Sequence, residues 1–154
     1  MFIKLLICIS ICELVGVSGA FFTKSSLSTW YVTLHKPSFN PPGWLFGPVW
    51  ILLYLSMGIA LFLIIKDGFV TREIILAVCF FTAQLLFNGL WSYIFFGKKE
   101  LFLSFIDLVL LWVLILITII IFYKTNNISG YIMIPYLLWV SFAGILNWSI
   151  WKMN

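Results

Sequence analysis

Apolar residues dominate this chain in long blocks, and short polar or turn-forming clusters separate them. Blocks able to cross roughly 30 Å of hydrocarbon, each needing about 20 residues, run over approximately 1–22, 44–65, 73–96, 101–123 and 129–151. The pattern predicts an all-α membrane protein, a bundle of five transmembrane helices forming one domain over residues 1–154. Connections such as Lys66–Arg72 and Gly97–Glu100 are short, so helices adjacent in sequence are expected to be antiparallel neighbours.

The break between the first two blocks differs from the others. From Trp30 to Trp50 the chain reads W-Y-V-T-L-H-K-P-S-F-N-P-P-G-W-L-F-G-P-V-W and carries Pro37, Pro41, Pro42 and Pro48. Proline fixes φ and lacks a backbone donor, so this stretch is expected to form a structured loop over the helix ends rather than uninterrupted helix. The first block, with Lys4 and the small residues Val17-Ser18-Gly19-Ala20, also resembles a secretory signal. Glu13 within it argues for a retained helix, and Cys8, Cys12, Gly16 and Ala20 form a small-residue face that admits a neighbouring helix.

Composition agrees with a membrane assignment: 64% of 154 residues are hydrophobic and only 9% charged, too little polar surface for a soluble domain. The net charge of +4 is spread over both ends of the helices. It suits lipid headgroups, offers no patch for nucleic acid, and leaves orientation unresolved, because lysines and arginines divide almost equally between the two sides. Cys8, Cys12 and Cys79 lie within spans and imply neither disulfides nor a metal site.

Polar and aromatic stripes carry the candidate chemistry. On the second helix Phe46, Trp50, Tyr54 and Gly58 recur at four-residue intervals and put three rings on one face. On the third, Gln84, Asn88, Trp91 and Phe95 share a face, with amides at a depth where polar groups need partners. On the fifth, Tyr136, Trp139, Ala143, Asn147 and Trp151 repeat the pattern, Ala143 and Gly144 leaving space between two indoles. Interfacial belts absorb residues such as Trp112 and Trp148, but a belt needs no amide one turn from its ring. A pocket for a flat ligand with polar edges needs both.

These residues resemble the TspO/MBR family, the tryptophan-rich sensory proteins related to the mitochondrial translocator protein or peripheral benzodiazepine receptor. The motifs are W-Y-x-x-L-x-K-P at Trp30–Pro37, P-P-G-W-x-F-x-x-V-W at Pro41–Trp50, Q-L-x-x-N-x-x-W-S at Gln84–Ser92 and P-Y-x-x-W-x-x-F-A-x-x-L-N at Pro135–Asn147. The resemblance implies a homodimer in a bacterial cell membrane, each chain holding a pocket for porphyrins, sterol-like molecules or benzodiazepine-type ligands. Protoporphyrin IX is the favoured ligand, and no cofactor or metal is required. By motif position, Trp50 and Trp139 match the pair the family uses in light- and oxygen-dependent porphyrin breakdown. Tyr31, Tyr54, Asn88, Trp91, Ala143 and Asn147 fall at pocket positions, with Asn88 and Asn147 expected to meet polar ligand edges. Pro41, Pro42 and Trp44 would shape the covering loop. The animal members' sterol motif has a central tyrosine that Leu146–Lys152 lacks, which weakens that part of the carry-over.

Two other readings compete. A haem-redox protein would need an axial ligand at pocket depth, and the single histidine, His35, sits in the loop. Glu13 suggests a small proton-coupled transporter of aromatic compounds, although Glu13 is also expected either to pair with a polar group of a neighbouring helix or to stay hydrated near the interface, and Asp107 to serve as a hydrogen-bond partner between helices. No acid-base or nucleophile constellation is present.

Overall fold

A computed structural model describes residues 1–69 and 71–154. Val70, inside the short connection Lys66–Arg72, lies outside the described residues. The helices are α1 (Phe2–Leu27), α2 (Gly43–Ile65), α3 (Arg72–Ser92), α4 (Leu101–Thr125), α5 (Asn127–Ile132) and α6 (Ile134–Met153). Five spans are long and apolar enough to cross a membrane, α5 and α6 together making the fifth. Large apolar side chains such as Leu14, Leu52, Leu86 and Leu138 point outward, as lipid-facing helix surfaces require.

Boundaries follow local chemistry. Thr71 Oγ1 accepts from the Ile74 backbone N–H at 3.4 Å and Asn126 Oδ1 from that of Ser129 at 3.1 Å, capping α3 and α5. Pro135 has no backbone donor, so the fifth span breaks at Met133 and restarts with proline in its first turn. Pro48, by contrast, is accommodated inside α2, one turn from its start, where only the Trp44 carbonyl loses its helical donor. The first helix runs to Leu27, five residues beyond the expected end near residue 22.

α1 packs against α2 and α3, α3 against α4, and α4 against α6, while α2 and α3 touch only slightly. The expectation that every sequential pair would be close neighbours therefore fails for α2 and α3. The approach of α1 to α2 explains it: a Cβ on Gly58 would lie 2.6 Å from the Ile9 Cα, and one on Gly16 would lie 2.5 Å from the Tyr54 ring. Only glycine permits these distances, so α1 seats tightly along α2.

The bundle is solid at one end. Phe81 and Phe122 stack there at 5.7 Å among Met57, Leu111 and Ile115, all fully buried. Ser129 Oγ donates to the Ala60 carbonyl at 2.7 Å and ties the fifth span to α2. At the other end, where α1 stops and α2 begins, the packing opens.

Candidate functional site

The opening is an apolar cavity of about 540 Å³, within the roughly 300–1,000 Å³ typical of small-molecule sites. Phe46, Trp50 and Tyr54 form its α2 wall, Trp91 and Ser92 its α3 wall, and Trp139, Ala143 and Asn147 its α6 wall. Indoles from three helices thus face one space. Trp50 stacks on Tyr54 at 5.5 Å, Trp91 on Phe95 at 5.2 Å, and Phe46 meets Trp139 edge-on at 6.2 Å.

Polar groups behind the rings hold them in place. Trp91 Nε1 donates to Asn147 Oδ1 at 3.0 Å, and Asn147 Nδ2 donates to the Leu101 carbonyl at 2.9 Å. The Tyr54 hydroxyl donates to Asn88 Oδ1; Asn88 Nδ2 donates to the Tyr136 hydroxyl at 2.8 Å, which donates to Gln84 Oε1 at 2.9 Å. These links pass from α2 through α3 to α6 and back.

Asn88 is accordingly displaced from its expected role. It is buried behind Tyr54 and does not line the cavity; both ends of its amide serve other side chains. Asn147 reaches the wall, but its amide is likewise spent on Trp91 and Leu101, so neither asparagine is free to meet a ligand edge. Tyr136 is fully buried beside Asn88, and Trp151 turns away to pack on Phe102 at 4.8 Å. The stripe on the fifth span therefore serves the cavity only through its middle. His35 lies off the cavity.

The loop has its own structure. A single 3₁₀ turn, Tyr31–Thr33, follows α1. The Tyr31 hydroxyl donates to Asn40 Oδ1 at 2.7 Å, and Lys36 Nζ donates to the carbonyls of Tyr31 and Leu34 at 2.7 and 3.0 Å. Burial pushes the Tyr31 hydroxyl up to about 12, against the opposing pull of its bond to Asn40. Tyr31 and Trp44 border the cavity, whereas Pro41 and Pro42 line an adjoining recess that shares Leu27, Tyr31 and Gly43 with it. Asn154 clamps the loop to the chain end: the His35 backbone N–H donates to its Oδ1 at 3.0 Å, and its Nδ2 donates to the His35 carbonyl at 2.9 Å.

The wall also includes α1, which the polar and aromatic stripes do not mark. Glu13, Gly16, Val17, Ala20, Lys24 and Leu27 also line the cavity, at spacings that keep them on one helix face. That regularity was available in the sequence. Phe95 and Phe96 both reach the wall because the chain from Tyr93 to Gly97 winds as a wider π turn, a distortion common at functional sites. Among the described residues Asp107 does not act as the interhelical hydrogen-bond partner expected of it, and Glu13 makes no such pairing. Asp107 is 4% exposed, with both carboxyl oxygens unbonded among the described residues.

The sequence pattern of the TspO/MBR family matches residues 8–152. The chain is 41% identical over 152 residues to the tryptophan-rich protein TspO of Chlorobaculum tepidum, covering 99% of this chain and 96% of that one. It is also 41% identical over 140 residues to the protein of the same name from Archaeoglobus fulgidus, covering 91% and 90%. With the human translocator protein it shares 34% identity over 137 residues, 88% of this chain and 81% of the other. Five apolar spans, the tryptophan-lined cavity and these matches agree that the chain is an integral, multi-pass membrane protein belonging to the TspO/MBR family.

Proposed function

We propose that the cavity binds a planar, largely apolar tetrapyrrole, protoporphyrin IX foremost, and that the protein acts as a membrane sensor or regulator of such molecules. The observation that carries this reading is the convergence of Trp50, Trp91 and Trp139 on one cavity of about 540 Å³. Each ring contact with a macrocycle adds about 0.5–1.5 kcal/mol beyond area burial. A ligand arriving from lipid has already left water, so packing drives binding, and a dissociation constant near micromolar, about 8 kcal/mol, follows. A homodimer belongs to the same proposal, supported by family membership.

Light-driven loss of the bound porphyrin is its chemical extension. An excited porphyrin passes energy to oxygen beside indoles that oxidise readily, and Trp50 and Trp139 are the electron donors in this reading. The test is illumination of the protein with protoporphyrin IX in air while the Soret band is followed. Trp139→Phe is expected to slow the loss; a rate equal to the wild type rejects the role. Haem fits less well, since the wall bears no histidine and the hydroxyls of Tyr31 and Tyr54 are engaged.

One observation favours a second reading, proton-coupled movement of aromatic compounds. Glu13 stands midway along α1, on the cavity wall, with no hydrogen bond or ion pair among the described residues. Efflux from vesicles that needs a proton gradient and disappears in Glu13→Gln supports it; efflux independent of Glu13 rejects it.

A further inference from the structure

Among the described residues, the cavity wall carries charge at two places, both on α1. Glu13, Val17, Ala20, Lys24 and Leu27 recur at steps of four and three, one stripe along the helix. Eleven residues separate the two charges, about 16 Å at 1.5 Å per residue. Glu13 therefore lies at the inner end of the cavity, and Lys24, in the last turn of α1, at its mouth.

Most other polar groups nearby are committed, the Trp139 indole N–H, buried on the wall without a partner among the described residues, being an exception. The hydroxyls of Tyr31 and Tyr54 donate to Asn40 and Asn88, the amide of Asn147 serves Trp91 and Leu101, and Lys36 Nζ holds two loop carbonyls. Glu13 and Lys24 have no such partner among the described residues. The wall between them is aromatic and aliphatic, a setting in which unpaired charge acts strongly on what enters.

Resting on the tetrapyrrole reading, we propose that Lys24 and Glu13 select and orient the ligand: the cavity takes a planar apolar molecule bearing carboxylate on one edge, with that edge outward on Lys24. An ammonium and a carboxylate at the mouth make charge-assisted hydrogen bonds. The Glu13 carboxylate repels a second anion from the inner end and rules out the inverted pose. A neutral flat molecule of the same shape gains from neither charge.

The experiment compares protoporphyrin IX with its dimethyl ester, which keeps the ring and removes the charge. Binding to wild type, Lys24→Gln, Lys24→Arg and Glu13→Gln is followed by tryptophan quenching in the dark, in lipid nanodiscs. The acid is expected to bind wild type about tenfold more tightly than the ester, the scale of one hydrogen bond to a charged group. Lys24→Gln brings the acid down to the ester's affinity without changing the ester, Lys24→Arg keeps the preference, and Glu13→Gln leaves the acid at least as tightly bound. Equal affinity of acid and ester for wild type overturns the selection while leaving the tetrapyrrole reading intact, as does an equal loss of both in Lys24→Gln. A loss confined to the acid in Glu13→Gln puts the carboxylates at the inner end and overturns the orientation. Saturable binding of neither compound rejects the tetrapyrrole reading itself.

Discussion

Trp91 Nε1 and Asn147 Oδ1, 3.0 Å apart, join α3 to α6 at the cavity wall, and the same amide continues to the Leu101 carbonyl at the start of α4. One side chain thus fixes three helices around the space. Asn147→Leu leaves the Trp91 indole N–H without a partner, costing about 1–3 kcal/mol, while the Leu101 carbonyl loses one donor and keeps the Ser104 hydroxyl at 2.9 Å. Thermal unfolding in detergent should fall by several degrees, and porphyrin affinity should drop with it. Unchanged stability would mean that the bond is not maintained in solution.

Asn88 makes the converse case, since it supports Tyr54 and Tyr136 from behind the wall. Asn88→Leu should lower stability by about 1–3 kcal/mol through the stranded Tyr54 hydroxyl, while the Tyr136 hydroxyl keeps its bond to Gln84. Ligand affinity measured well below the unfolding temperature should change little. A large affinity loss with normal stability would put Asn88 in contact with the ligand after all.

The glycines on α2 divide by what they face. A Cβ at Gly58 meets the backbone of Ile9, whereas one at Gly47 meets nothing within 4 Å. Gly58→Ala is expected to destabilise by about 1–3 kcal/mol by prising α1 from α2. Gly47→Ala should be neutral or stabilising, by up to about 1 kcal/mol. Equal melting temperatures for the two variants would contradict the close packing.

Asp107 is buried without a hydrogen-bond partner among the described residues, and an unpaired carboxylate in such a place is costly. Asp107→Asn keeps the shape and removes that liability. Its melting temperature should equal or exceed that of the wild type. A marked decrease would show that the carboxylate has a partner in the assembled protein.

The loop should hold in alkali. The Tyr31 hydroxyl is raised from 10 to about 12 by burial, so the folded loop favours its protonated form. Its contribution is complete below pH 10 and is lost as pH rises toward 12. Limited proteolysis of the loop should increase across that window, and Tyr31→Phe should cleave faster at neutral pH. Cleavage independent of both would detach Tyr31 from loop order.

Much of this arrangement can be read in the chain, and the gaps have physical causes. The spans and the Phe46–Trp50–Tyr54–Gly58 stripe were legible because length and four-residue recurrence suffice for them. The contribution of α1 was obscured because lipid and cavity are both apolar, so hydrophobicity does not tell the face of Val17 and Ala20 from that of Leu14. Polar residues can also be one layer too deep: Asn88 and Asn147 look like ligand contacts until Tyr54 and Trp91 are seen to occupy them. The Asn154 clamp on His35 joins residues 119 positions apart and leaves no local signature.

A tryptophan-walled cavity must admit a planar guest for this function, and Ala143, on that wall next to Gly144, allows it to be filled without touching an indole. Protoporphyrin IX titrated in the dark against wild type and Ala143→Phe, with tryptophan fluorescence as readout, is the most direct measurement. The prediction is saturable quenching of the wild type near micromolar concentration and a loss of at least about tenfold in the variant, 1.4 kcal/mol or more, at comparable thermal stability. Identical or non-saturating quenching of both proteins would contradict it.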